Sequence, residues 1–241
     1  MKKTSPHLRI PEHTDEWILF CAWVLLLFFA LGELLRYSGI EPFFRTFLVL
    51  LICLIFYLGG LLQKQRTKDV TPLRRCFGLF FVLYLYLILT FTLLDPSLGR
   101  AGDSVYDQVH SMRSEYMERF FNPVPFRSIY HVYIRGFFRG YVNGYYTFLN
   151  LIGNVCAFMP LAFFLPYHFP AQRKWYFFLP TQILLVVLIE SLQFLFMVGS
   201  CDVDDLILNA GGAFLCFFFL KIPSIGRLVK RLTGEEANKK S

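Results

Sequence analysis

Residues 43–62 read FFRTFLVLLICLIFYLGGLL, a run whose only charge is Arg45. A helix in water needs one apolar stripe, whereas a stretch apolar on every side is stable only in lipid, where about 20 residues of helix cross the hydrocarbon. The same test picks out five more stretches, roughly 17–37, 76–94, 148–167, 175–198 and 204–221. The composition of the 241 residues agrees, since 56% hydrophobic and 17% charged lies far from the balance of a soluble domain. The expected fold class is therefore all-α: a polytopic transmembrane helix bundle of about six membrane-spanning helices.

The opening MKKTSPHLRIPEHTDEW is too polar to read as a cleaved signal peptide, so the first span is expected to be retained. Cys21, Cys53, Cys76, Cys156 and Cys216 fall inside expected spans and Cys201 in a short turn, with neither a disulfide framework nor metal-ligand spacing. The formal charge of +7 sits at helix ends rather than on one soluble face, which points to membrane topology and away from nucleic acid.

Basic residues in short loops stay on the cytoplasmic side. Lys2, Lys3 and Arg9 precede the first span; Lys64, Arg66, Lys68, Arg74 and Arg75 separate the second and third. Arg173 and Lys174 separate the fourth and fifth, and Lys221, Arg227, Lys230, Arg231, Lys239 and Lys240 follow the sixth. Six spans put all four segments on one side, so both termini are expected in the cytoplasm. The 37–42 turn, the 95–147 segment and the 199–203 turn are then expected outside.

Polar groups inside a span are unfavourable in hydrocarbon unless paired or hydrated. Asn154, Glu190 and Asn209 each fall roughly 8–12 Å below the expected outer surface. Asn150 and Asn154 share one helix face, as do Glu190 and Gln193, and Asp202, Asp205 and Asn209 share a third, which Asp204 leaves. The expectation is an outward-opening polar pocket among the last three spans, with Glu190 its deepest ionisable group. Asn150 and Asp202 also suit helix N-caps, and Asp202 with Asp205 resembles a capping box. Glu33 with Arg36 reads as a snorkelling ion pair, and Asn209-Ala-Gly-Gly-Ala213 as a small-residue surface for close helix packing.

Two prolines in Asn122-Pro-Val-Pro-Phe126 divide the long outer segment. Before them, Val105, Val109, Met112, Tyr116 and Phe120 recur at helical spacing beside Asp103, Asp107, Glu115 and Glu118, predicting an interfacial amphipathic helix. After them, Arg127, His131, Arg135 and Arg139 step by four among aromatic residues with no acid between. Arg127 and Arg135 thus join the candidates for a lipid phosphate or anionic ligand, against ordinary snorkelling at the interface.

The succession Asn122-Pro-Val-Pro-Phe126, Asn150-Leu-Ile-Gly-Asn154 with Phe158-Met-Pro-Leu161, Ile189-Glu-Ser-Leu-Gln193, then Asp202-Val-Asp-Asp205-Leu-Ile-Leu-Asn209 with Gly211 and Gly212 resembles the VanZ-like family of membrane proteins. The likeness covers about residues 76–221, a four-helix core with outer loop 95–147. Residues 1–75 become an N-terminal addition of two spans, and 222–241 a basic tail. The resemblance implies a bacterial membrane and an association with resistance to lipoglycopeptides such as teicoplanin. It places Asn150, Asn154, Glu190, Gln193, Asp202, Asp205 and Asn209 at the family's signature polar positions, and Phe126, Gly153, Pro160 and Gly212 at its structural ones. One departure is visible: members often carry Arg beside the glycine of the last turn, where this chain has Gly199-Ser-Cys-Asp202.

Three function classes follow. The first is a non-catalytic protein binding a lipid-linked cell-wall component or a lipoglycopeptide, with no cofactor. The second is an intramembrane enzyme with Glu190 or Asp205 as general base, although no nucleophile motif appears. The third, a lipid translocator, lacks inverted repeats and a polar route through the inner halves of the spans. Oxygen ligands at Asp202, Asp205 and Glu190 would favour magnesium or calcium were a metal to bind there.

Overall fold

The computed structural model describes residues 13–34, 42–94, 121–136, 144–196, 198 and 201–235. Six helices among them are long and apolar enough to cross a membrane: Thr14–Leu34, Pro42–Thr67, Thr71–Leu94, Asn150–His168, Trp175–Leu195 and Val203–Leu220. The expected interfacial helix at 105–120, and Arg139, lie outside the described residues. Along the spans the large apolar side chains face outward, Leu184 being 67% and Leu215 70% exposed. Helices apolar on their exposed faces place the chain as a multi-pass membrane protein. The chain divides into two compact units, Met1–Leu83 with Lys230–Ser241, and Tyr84–Val229.

In the first unit, helices α1 (Thr14–Leu34) and α2 (Pro42–Thr67) pack as a hairpin. Ion pairs tie it at both ends. Arg66 Nη2 meets Glu16 Oε1 at 2.7 Å and Asp15 Oδ2 at 2.9 Å, and Arg45 Nε meets Glu33 Oε1 at 3.2 Å. Glu33 thus reaches across to the next helix; Arg36, its expected partner, is outside the described residues. Arg45 is buried to 7% exposure with that carboxylate beside it, as a cation inside an apolar span requires. Helix α3 (Thr71–Leu89) begins earlier than its apolar run, because Asp69 Oδ1 accepts from both the Thr71 amide at 3.0 Å and its hydroxyl at 2.9 Å. It ends in a wide π turn over Thr90–Leu94.

The second unit contains α4 (Gly144–Ala157), α5 (Leu161–His168), α6 (Trp175–Leu195) and α7 (Val203–Leu220), with a π turn at Ile129–Gly136. The fourth span is broken at Phe158–Pro160 rather than continuous. There the Leu161 amide bonds to Phe158 O at 3.1 Å instead of reaching four residues back. Ala157 O, left over by that tightening, accepts the Tyr84 hydroxyl at 2.7 Å. A short parallel bridge joins β1 (Phe121–Asn122) to β2 (Cys201–Asp202), pairing Phe121 with Cys201 and Asn122 with Asp202. Phe178 and Phe217 stack at 4.5 Å in the interior, and α7 packs on α4. The close approach is at Gly212, where an added Cβ would lie 2.0 Å from Val155 O; at Gly211 it would meet nothing within 4 Å. In lipid, where no hydrophobic effect drives helices together, such backbone contact supplies the packing. The basic stretch after the sixth span is α8 (Pro223–Thr233).

Candidate functional site

The polar residues of the second unit gather where α6 ends and α7 begins, and the turn between them organises the rest. Asp202 has the extended backbone of an N-cap, and its Oδ1 accepts from the Asp204 amide at 2.9 Å. The same oxygen accepts from Asn122 Nδ2 at 3.1 Å, while Oδ2 accepts from the Ser128 hydroxyl. Asp204 is fully buried, and its two oxygens accept the backbone amides of Phe126 and of Ile129, the latter at 2.9 Å. Two carboxylates at the positive end of α7 therefore hold the whole 122–129 turn. The grip is tight enough to keep Phe126 at φ 63°, a left-handed conformation that a bulky side chain rarely adopts.

Holding this turn orients the π turn that follows it. Its inner side presents Ser128, Ile129 and the half-buried Tyr133, whose hydroxyl accepts from Asn150 Nδ2 at 2.8 Å. Asn150 lies inside α4, which starts at Gly144, so its side chain is no cap. One helical turn on, Asn154 Nδ2 donates to Asp205 Oδ1. Asn209 Nδ2 donates to Asp205 O at 2.8 Å, and its buried Oδ1 has no hydrogen-bond donor among the described residues. Gln193 Nε2 donates to Thr92 O at 3.0 Å, anchoring the end of α6 to the turn after α3.

Electrostatics connects the remaining members. Burial, with the charges of Asp205 and Asp202 adding to it, pushes the Tyr133 phenol up to about 12. Burial first, then the charges of Glu190, Asp202 and Asp205, raise the Cys201 thiol above its usual range. Glu190, itself buried, therefore lies within electrostatic reach of the same turn.

Of the residues singled out from sequence, Asn154, Asp205 and Asn209 form one hydrogen-bonded chain, and Asn150 and Asn154 both bond to Tyr133. Asp202 instead holds the 122–128 turn, Glu190 is within electrostatic reach of Cys201, and Gln193 is turned to Thr92. Arg127, His131 and Arg135 are exposed, whereas Tyr133 in the same segment is half-buried. Sequence reasoning missed Tyr133, Ser128, Asn122 and Asp204. Asp204 does leave the face shared by Asp202 and Asp205, and its target is the proline turn, 78 positions earlier than itself. A second acid in the first turn of a helix was the available signal. Among the described residues no three His, Cys, Asp or Glu side chains are grouped to hold a metal ion, so the three carboxylates do not form a cation cage.

The cluster is rich in acceptors: Asp205, Glu190 and the Asn209 carbonyl oxygen, with two carboxamides and a phenol among them. Such a set suits hydroxyl or ammonium donors and repels an anion. The exposed cations of the 121–136 segment have the reverse preference.

The sequence model of the family described as VanZ/LLP1 matches residues 81–224. No curated protein and no solved structure matches the chain.

Proposed function

The chain belongs to the VanZ/LLP1 family, and from that premise we propose that it binds an amphiphilic envelope ligand, a lipid-linked cell-wall component or a lipoglycopeptide, without transforming it. In this reading the ligand's hydroxyl or amine groups meet Tyr133, Asn150, Asn154, Asp205 and Asn209 on the outer side of a bacterial membrane. Its phosphate, where it has one, meets Arg127 and Arg135, and both termini of the chain are cytoplasmic. Sequestering or altering such a ligand changes what a lipoglycopeptide such as teicoplanin finds at the surface. The observation that carries the reading is the buried Asn209 Oδ1, an acceptor with no donor among the described residues, set in an otherwise connected acceptor-rich cluster. A buried polar atom of this kind calls for a partner beyond the described residues, and a ligand's hydroxyl or amine supplies one.

The test is incubation of the purified chain in lipid nanodiscs with a labelled polyprenyl-diphosphate-linked sugar. One-to-one retention, recovery of the compound unchanged, and weaker retention by Asn154→Leu and Asp205→Asn are expected. Conversion of the label to product would replace this reading with that of an enzyme using Glu190 or Asp205 as base. In cells, loss of teicoplanin tolerance on the same substitutions would tie the binding to resistance; unchanged tolerance would detach the two.

A further inference from the structure

The segment after the last span, which the sequence alone presents as a basic tail, is a helix with two unlike faces. On α8, Ile225, Leu228, Val229 and Leu232 recur at helical spacing on one arc, and Arg227, Lys230 and Arg231 occupy the opposite one, with no acid anywhere in the helix. The chain covers only part of the apolar arc. Ile225 and Val229 are half-buried, and Thr233 is buried, whereas Leu228 is 52% and Leu232 47% exposed. Tyr57 Oη donates to Leu232 O at 3.2 Å, fixing the end of the helix. Just before α8, Lys221 Nζ lies 4.0 Å from the centre of the Phe217 ring and 5.8 Å from that of Phe218, an aliphatic stem laid along aromatic surface with its charge at the end of the span.

An exposed apolar edge bordered by cations has one arrangement that satisfies both: the helix axis parallel to the membrane plane, leucines among acyl chains and cations among headgroups. We infer that α8 is an in-plane anchor that selects anionic phospholipid, with Leu228 and Leu232 inserted and Arg227, Lys230 and Arg231 contacting headgroup phosphates. The charge complementarity decides the partner. Three cations in a helix without acids gain little from a zwitterionic surface, and each is worth a few-fold in affinity at an anionic one. This inference is independent of the polar cluster and of any ligand bound there.

The test uses the full-length protein in nanodiscs of phosphatidylcholine mixed with an equal part of phosphatidylglycerol. Lipid retained after detergent extraction is identified by mass spectrometry. The wild type is expected to be enriched in phosphatidylglycerol by roughly tenfold over the variant Arg227→Gln/Lys230→Gln/Arg231→Gln. Equal enrichment in the two proteins would overturn the headgroup assignment. In a cysteine-free background, a fluorophore attached through Leu228→Cys should be quenched by lipids brominated on the acyl chain far more than one attached through Lys230→Cys. Equal quenching at the two positions would overturn the orientation. Protection of position 228 that rises with the protein-to-lipid ratio would assign the edge to a second copy of the chain and overturn the lipid partner.

Discussion

Asp204→Asn should release the proline turn while leaving the spans in place. The wild-type carboxylate is fully buried and accepts two backbone amides, those of Phe126 and Ile129. The carboxamide has nearly the same shape but only one oxygen, so one backbone N–H then faces an NH2 donor. A hydrogen bond to a charged group is worth about 1.5–3 kcal/mol, and stranding its buried partner costs about 1–3 kcal/mol. Because the turn relaxes to recover part of this, about 3 kcal/mol is expected in all, which raises the open population roughly a hundredfold. Hydrogen exchange followed by mass spectrometry on the protein in detergent reads this directly. The peptides carrying the Phe126 and Ile129 amides should exchange faster by about that factor, and trypsin should cut sooner at Arg127 and Arg135, while peptides from α1 and α2 remain as protected as before. Unchanged exchange at Phe126 and Ile129 would show that Asp204 does not hold the turn.

Gly212→Ala should destabilise the α4–α7 packing by about 2 kcal/mol, since its Cβ would lie 2.0 Å from Val155 O, whereas Gly211→Ala, with nothing within 4 Å, should be neutral or slightly stabilising; thermal unfolding in detergent compares them. Equal melting temperatures for the two variants would refute the contact. The Tyr133 phenol is raised from 10 to about 12, so the folded state favours its protonated form. That contribution is complete below pH 10 and lost as pH climbs toward 12. Stability of Tyr133→Phe should accordingly fall less steeply than that of the wild type between pH 10 and 12 in alkaline unfolding, and parallel curves would contradict the assignment.

The spans were legible because a long block apolar on every side has a single solution, and reading that block places them without any knowledge of contacts. Their edges were less so. Helix α3 starts at Thr71 because a polar first turn, capped by Asp69, adds nothing to an apolar count. The break at Phe158–Pro160 followed from a proline that the hydropathy of the fourth span concealed. Within the site, pairs on one helix face were readable from spacing, and Asn150 with Asn154 and Asp205 with Asn209 are side by side in the structure. Contacts across the chain had no periodic signature: Asn122 reaches Asp202 over 80 positions and Ser128 over 74. For the same reason Arg127 and Arg135, conspicuous by charge, drew attention from Tyr133, whose hydroxyl meets the cluster.

All of this depends on the carboxylate of α6 and those at the start of α7 sharing one electrostatic environment. The rate at which iodoacetamide alkylates Cys201 in the full-length protein at fixed pH, read by mass mapping, tests that most directly, because the Glu190 charge is one of the causes that hold its thiol protonated. Glu190→Gln should enlarge the thiolate fraction and speed the labelling of Cys201 several-fold, with Cys53 labelling unchanged. An identical Cys201 rate in wild type and variant would place Glu190 outside the cluster and contradict the account.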